Sequence, residues 1–211
     1  MAKILTISNQ KGGVGKSTLA LNLYSHFMSN DASCTLVDTD PQGSITKLID
    51  AYSSDEARTP IQLLRANQMN GLESILNLST DVVIIDTPPY LSSDLPGIYS
   101  ISDFILVPIQ PNPFDVLAVQ DTISLIQQAM ELRPEVKAAM VLNRVINRTS
   151  FTSEVRELLE GYEIPVLNTQ IYTRVAYGRS LLYDNSVERQ DPKASNEIGA
   201  VAGEILTRML V

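Results

Sequence analysis

A glycine-rich segment near the start of the chain constrains its fold most strongly. Residues 9–18 read Asn-Gln-Lys-Gly-Gly-Val-Gly-Lys-Ser-Thr, between an apolar run at residues 4–7 and a helical pattern. A glycine-rich turn between a strand and a helix presents backbone N–H groups to a phosphate, and the helix N-terminus adds partial positive charge. Lys16 suits the β- and γ-phosphates, and the Ser17 hydroxyl suits Mg²⁺. The segment therefore predicts a nucleoside triphosphate site.

The size and composition of the chain fit one α/β domain, predicted to span residues 1–211. Cys34 is the single cysteine and cannot form an intramolecular disulfide, which fits a reducing cytoplasm. The chain begins directly with the first predicted strand, so we expect no signal peptide. No apolar run reaches the length of a transmembrane span. The net charge of −8 disfavours nucleic acid as a partner of the chain as a whole.

Apolar runs alternate with helical patterns, which predicts a P-loop α/β fold with a mostly parallel, twisted sheet and helices on both faces. The predicted strands are residues 4–8, 34–38, 82–86, 104–109, 138–143 and 165–167. The predicted helices are residues 16–28, 44–51, 60–66, 72–76, 113–130, 150–159 and 196–210. Residues 52–58 are polar and are predicted to form a surface excursion.

Two carboxylates follow the second predicted strand, in the sequence Asp-Thr-Asp-Pro-Gln-Gly at residues 38–43. Strand ends are where ligands bind in open α/β sheets. Mg²⁺ prefers oxygen ligands and keeps several waters, so Asp38 and Asp40 suit work on a metal ion or an attacking water. A simple turn is the alternative, since Asp, Pro and Gly favour turns.

The third predicted strand, Val-Val-Ile-Ile-Asp at residues 82–86, ends in an aspartate as a Walker B strand does. This pattern predicts that Asp86 holds Mg²⁺ opposite Ser17 and that the following Thr-Pro-Pro faces the γ-phosphate. An apolar strand ending in aspartate is a weak signal by itself. Three phosphate-site elements in chain order make a strong one.

The phosphate loop departs from the common pattern, because Gln10 replaces its first glycine and Lys11 precedes a glycine pair. Together with residues 38–43, this loop resembles the deviant Walker A ATPases of the ParA/MinD family, and the resemblance covers essentially the whole chain. It implies that Asp40 positions the attacking water, that Asp38 supports the metal site, and that Lys11 crosses to a partner subunit's phosphates. The implied ATP-binding residues of the loop are Lys11, Gly12, Gly13, Val14, Gly15, Lys16, Ser17 and Thr18, with Lys11 and Lys16 also catalytic.

Adenine is the expected base. A guanine site usually carries Asn-Lys-x-Asp after a later strand, whereas this chain has Asn-Arg-Val-Ile at residues 143–146. The resemblance places Asn143 and a proline-rich loop that contains Pro111 in the adenine pocket. Prolines also simply end strands, so the loop assignment has a second explanation.

The resemblance is best to short ParA-type partition ATPases that lack an N-terminal helix-turn-helix. It implies a cytoplasmic, ATP-dependent homodimer that binds non-specific DNA of the nucleoid and hydrolyses ATP when a ParB-like centromere-binding protein stimulates it. Arg174 and Arg179 lie where relatives carry DNA-contacting cations. Either arginine could instead form a surface salt bridge to Asp184 or Glu188.

Three other functions remain open. A ParA-like positioner of protein cargo would share the ATP and DNA chemistry. A MinD-like membrane-cycling ATPase needs a basic amphipathic C-terminal helix, whereas residues 204–211 carry one arginine and one glutamate, so we expect no membrane binding. A metabolic ligase or amidotransferase on the same scaffold needs a further substrate site.

Overall fold

A six-stranded parallel sheet organises the chain. The computed structural model describes residues 2–52, 61–146, 151–183 and 186–209. The strands are β1 (Lys3–Ile7), β2 (Cys34–Asp38), β3 (Leu63–Arg65), β4 (Val82–Asp86), β5 (Phe104–Ile109) and β6 (Lys137–Leu142). They lie in the order β3-β2-β4-β1-β5-β6, and every neighbouring pair is parallel. The predicted α/β fold with a parallel sheet is confirmed.

Helices connect the strands. They are α1 (Lys16–Ser29), α2 (Ser44–Ala51), α3 (Glu73–Leu76), α4 (Leu95–Ile101), α5 (Pro113–Ala118), α6 (Gln120–Leu132), α7 (Phe151–Glu160), α8 (Val175–Tyr183) and α9 (Pro192–Met209), with a 3₁₀ turn at Ala66–Gln68. Parallel strands require such crossovers because consecutive strand ends lie at opposite edges of the sheet.

Two apolar clusters cover the two faces of the sheet. One cluster joins the sheet to α1 and α9, and the other joins it to α4, α6 and α7. Within β5, Phe104 and Leu106 belong to the first cluster, whereas Ile105 and Val107 belong to the second. This alternation follows from the period of two in a strand, and burial on both faces explains the continuous apolar runs in the sequence.

Sequence reasoning gave the bounds of β2, β4 and β5 correctly, but the predicted helix at residues 60–66 is wrong. Its described part contains β3, in which Leu63 pairs with Leu36 and Arg65 pairs with Asp38. The Leu36 N–H also donates to the Gln62 carbonyl at 2.9 Å. Pairing with an available sheet edge outweighs the weak helical propensity of this short segment.

Smaller differences concern the second half of the chain and one polar segment. The predicted helix at residues 113–130 is divided into α5 and α6 at Val119, and residues 165–167 make only a single bridge, Met140 to Val166. Helices α4 and α8 were not predicted. Residues 53–58 of the predicted excursion and residue 150 of the predicted helix lie outside the described part of the chain.

The last helix begins four residues earlier than predicted. The Asp191 carboxylate accepts the backbone N–H groups of Lys193 and Ala194, at 2.9 and 3.2 Å, and so caps the first turn of α9. This extra turn places Glu197 in the body of the helix, where it faces the segment that precedes α8.

Candidate functional site

The phosphate loop lies at the carboxyl edge of the sheet, between β1 and α1. Gly13 and Gly15 have φ angles of 78° and 97°, which favour glycine. A Cβ atom at Gly15 would collide with Nδ2 of Asn143. Helix α1 starts without a side-chain cap, so its first N–H groups are available to an anion.

Two hydrogen bonds tie this loop to the carboxyl end of β5. Asn9 Nδ2 donates to the Pro108 carbonyl at 2.9 Å, and Gln110 Nε2 donates to the Gly13 carbonyl at 2.9 Å. The Asn9 carboxamide oxygen also accepts the Lys11 N–H at 2.9 Å. The loop is therefore shaped before any ligand arrives.

Asp86 and Ser17 meet at the centre of the site. Ser17 Oγ donates to Asp86 Oδ2 at 2.6 Å, whereas the buried Oδ1 has no hydrogen-bond partner among the described residues. Burial raises the pKa of Asp86 to about 7, and the nearby Asp38 carboxylate adds to this shift. Burial lowers the pKa of Lys16, whose Nζ donates to the Lys11 carbonyl at 3.1 Å.

Asp38 and Asp40 both lie beside this centre. Asp38 is the register partner of Asp86 on the adjoining strand. Its Oδ2 accepts the Thr46 N–H at 2.9 Å and the Thr46 hydroxyl at 2.7 Å, so it also anchors the first turn of α2. Asp40 Oδ1 accepts the Gln42 N–H at 2.9 Å. Residues 38–43 thus form a turn and also place two carboxylates beside Asp86.

The donor set fits a divalent cation that arrives with phosphates. The Asp86 and Asp40 carboxylates act electrostatically on the buried ammonium of Lys16, and Asp38 acts on Asp86, whose Oδ1 lacks a partner among the described residues. No group of three His, Cys, Asp or Glu side chains in the described ranges is arranged to hold a metal unaided. Mg²⁺ is commonly held by one or two carboxylates plus substrate phosphates, which matches this arrangement.

Lys11 occupies a different environment from Lys16. Its Nζ forms an ion pair with Asp115 Oδ1 from α5, in which the Lys11 side chain is 34% exposed and that of Asp115 is 3% exposed. Asp115 Oδ2 is buried without a partner among the described atoms. Phe114 and Leu117 flank Asp115 and are 74% and 69% exposed. Sequence analysis missed Asp115, which lies 104 positions from Lys11.

A cavity of about 350 Å³ opens from the start of α1. Asn143, the residue predicted for an adenine pocket, lines this cavity, and its Nδ2 donates to the Val14 carbonyl at 2.6 Å. The described lining does not include Pro111. The remaining lining residues are Gly15, Thr18, Leu19, Arg144, Ile171, Tyr172, Thr173, Arg174, Tyr177, Gly178 and Leu181. The wall from residue 171 to 181 was missed because it carries no motif.

The two arginines predicted to contact DNA differ in their surroundings. Arg174 donates from Nε and Nη2 to Glu197 Oε1, at 3.0 and 2.5 Å, so its partner is neither Asp184 nor Glu188. Glu188 instead contacts His26, and residue 184 lies outside the described ranges. Arg179 is exposed beside Asp191. Arg174 is thus already paired within the chain, whereas Arg179 faces solvent.

These features define an α/β protein that binds a phosphorylated ligand at the carboxyl edge of a parallel sheet. Residues 5–187 match the family described as CobQ/CobB/MinD/ParA nucleotide binding domain, and the chain belongs to this family. The predicted kinship with ParA and MinD is confirmed. The described residues include no helix with the length and apolar character needed to cross a bilayer.

Individual relatives match over nearly the whole chain. The protein is 31% identical over 208 residues to the maintenance of carboxysome distribution protein A of Halothiobacillus neapolitanus, covering 96% of this chain and 95% of that one. It is 27% identical over 252 residues to a virulence plasmid ParA family protein of Chlamydia psittaci, covering 98% and 95%. A putative plasmid partition protein of Borrelia burgdorferi, solved with AMPPNP, shares the fold with a TM-score of 0.74, 20% identity and 99% coverage of each chain.

Substitution of Gly15 by alanine should destabilise the protein far more than substitution of Gly13. Both have positive φ, which costs a non-glycine residue about 1–2 kcal/mol, but only Gly15→Ala also meets Asn143, since no atom lies within 4 Å of a Cβ at Gly13. Urea unfolding of both variants without nucleotide measures the difference. Equal urea midpoints for the two variants would show that the Asn143 side chain moves away from the added methyl group without a cost in stability.

Asp86→Asn should stabilise the protein in EDTA, because charging the buried carboxylate costs free energy. A raised folded-state pKa gives stability that is present at low pH and lost as the pH rises through about 7. The gain in Tm should therefore grow from pH 5 to pH 7 and then level off, at about 2–4 °C for each kcal/mol. Asp38→Asn is the control and should lower Tm, since it weakens the acceptor of Thr46. A gain independent of pH would contradict the assignment.

Proposed function

We propose that this chain is a Mg²⁺-dependent ATPase of the ParA/MinD type that dimerises around ATP, binds non-specific DNA in that state, and releases DNA after hydrolysis. The observation that carries this proposal is the pair of lysines in one phosphate loop. Lys16 lies buried near Asp86, whereas Lys11 is held at the surface by Asp115. One lysine suffices to bind phosphate within a subunit, so the second is available to a neighbouring one.

ATP phosphates are proposed to lie against loop residues 11–18, where Lys16 meets the β- and γ-phosphates. Ser17 and Asp86 would hold Mg²⁺, and Asp38 would support them through its charge on the adjoining strand. The ion, when bound, neutralises charge that develops on the phosphates. Asp40, at the turn after β2, is proposed to orient the attacking water.

The adenine base is proposed to enter the cavity beside Asn143. This cavity is lined by Gly15 and Thr18 at the end of the phosphate loop, so it adjoins the place where the phosphates are proposed to lie. The absence of Asn-Lys-x-Asp after β6 favours adenine over guanine. Residues of the 171–181 segment supply the wall of this cavity, and Pro111 is not among its described lining residues.

A homodimer is supported by the surface around Lys11. Phe114 and Leu117 are exposed on α5 beside the ion pair, and an apolar surface next to a partly exposed cation suits a contact with a second copy. In such a dimer, Lys11 would leave Asp115 for the partner's phosphates, as the ParA/MinD resemblance implies.

Non-specific DNA binding is proposed to use Arg179, which faces solvent on α8. Contacts to phosphates need only charge and donors, so the overall charge of −8 would limit binding to a local patch and make it salt-sensitive. The proposed setting is the cytoplasm, with nucleoid association in the ATP state. The proposed partner is a ParB-like centromere-binding protein that stimulates hydrolysis.

A second candidate cargo is a protein assembly. The carboxysome distribution relative aligns with the whole chain at 31% identity, which supports a positioner that shares the ATP and DNA steps but moves protein. A membrane-cycling role has less support, because Ile198, Val201 and Ile205 direct the apolar face of α9 into the core.

Lys16→Ala should abolish ATP binding, whereas Lys11→Ala should leave binding by one subunit intact and prevent ATP-dependent dimerisation. Calorimetry measures the first property, and light scattering with ATP and with ADP measures the second. Because Lys11→Ala strands the buried Asp115 carboxylate, the double variant with Asp115→Asn controls for lost stability. Normal ATP-dependent dimers of Lys11→Ala would refute the role of this lysine.

The parent protein should bind duplex DNA of random sequence with ATP, but not with ADP or without nucleotide. Arg179→Ala should weaken this binding and reduce the slope of log affinity against log salt by about one for each lost phosphate contact. Lys3→Ala removes the same charge at the opposite edge of the sheet and should have no effect. If the protein hydrolyses ATP but binds no DNA with ATP, with ADP or without nucleotide, the proposed DNA binding is refuted.

A further inference from the structure

Residues 171–181, called the strap here, form the wall of the cavity that would face the base. Contacts with the sheet and with α9 both hold the strap. The Ile171 N–H donates to the Leu142 carbonyl at 2.9 Å and the Thr173 N–H donates to the Val145 carbonyl at 2.8 Å, after which the strap continues into α8. Tyr172, Arg174 and Tyr177 of the strap line the cavity. The position of these side chains therefore decides the shape of the space offered to a base.

One carboxylate on α9, that of Glu197, accepts hydrogen bonds from all three of these residues. Glu197 Oε1 accepts from Arg174 Nε and Nη2, at 3.0 and 2.5 Å. Its Oε2 accepts the Tyr172 N–H at 3.2 Å and the Tyr177 hydroxyl at 3.0 Å. The Glu197 and Arg174 side chains are only 11% and 19% exposed.

Glu197 itself is not among the described residues that line the cavity. It reaches the cavity only through the three strap residues that it binds. Burial and the Glu197 carboxylate together raise the pKa of Tyr177. The phenol therefore stays protonated and donates its hydrogen bond to Glu197. The guanidinium of Arg174 also lies 5.8 Å from the centre of the Tyr172 ring, a cation–π contact within the strap.

Stability of the fold is a weak explanation for this cluster. Helix α9 is already fixed by the fully buried Ile198, Val201 and Ile205. A partly buried ion pair gives little net stability, because desolvation offsets most of the attraction. The same helix supplies a natural comparison in Glu204, which accepts the N–H groups of Asn168 and Thr169 at 3.0 and 2.7 Å.

We propose that Glu197, within the ATP site proposed above, is a positioning residue for the nucleoside: it holds the strap in the conformation that receives the base. Glu204 anchors the preceding segment in the same way, but its partners do not line the cavity. The two glutamates are matched in chemistry and in helix. They differ in whether their partners face the base.

The test compares the parent, Glu197→Gln and Glu204→Gln by calorimetry with three ligands, each with Mg²⁺: ATP, ADP and inorganic tripolyphosphate. Glutamine keeps the size of the side chain but removes the charge that binds Arg174. Glu197→Gln should weaken ATP and ADP about tenfold, as expected for one lost charge-assisted contact, and leave tripolyphosphate within about twofold. Glu204→Gln should leave all three affinities unchanged.

Two outcomes would overturn the proposal. Glu197→Gln could bind ATP as the parent does, or it could lose tripolyphosphate and ATP equally, which would indicate a defect of the whole fold. Thermal unfolding of both variants measures stability separately from ligand affinity. We expect Tm shifts of similar size for Glu197→Gln and Glu204→Gln. A parent that binds tripolyphosphate as tightly as ATP would also refute the base cavity, whereas failure to bind DNA would bear only on the proposed function.

Discussion

The buried carboxylate of Asp86 is the constraint on which the site depends. The register of β2 with β4 places Asp38 beside it, and one buried lysine faces the group. The chain thus keeps an excess of negative charge and an unpartnered oxygen in its interior, and the two apolar clusters supply the stability that tolerates this defect. A ligand that brings a cation and phosphates together removes the excess, which is why the geometry favours a nucleotide over a simple anion.

The two lysines of the phosphate loop differ because different acceptors surround them. Lys16 follows Gly15 into the first turn of α1 and is drawn inward, toward the aspartates. Lys11 precedes the glycines and meets Asp115 on α5, the helix that follows the neighbouring strand β5. Loop sequence alone makes the two ammonium groups look equivalent. Their different surroundings come from the tertiary structure, which supplies Lys16 with buried carboxylates and leaves Lys11 partly exposed beside Asp115.

Sequence reasoning succeeded where structure is local. Strands buried on both faces are continuous apolar runs, and the residues that follow them, such as Asp38 and Asp86, necessarily gather at one edge of a parallel sheet. It failed where distant segments decide the outcome. The short β3 exists because β2 offers an edge, and Asp115 and Glu197 act on residues 104 and 23 positions away. Neither acid carries a recognisable spacing, so only the fold could reveal its role.

The strap and its anchor have a consequence for the order in which the protein is made. The phosphate loop precedes α1 and is synthesised well before Glu197, which lies in α9. Domains fold as units during synthesis, so a growing chain that ends before α9 lacks the Glu197 contacts that hold the strap. A nucleotide held as proposed would need the finished fold, and a ligand that prefers the finished protein draws the folding equilibrium toward it.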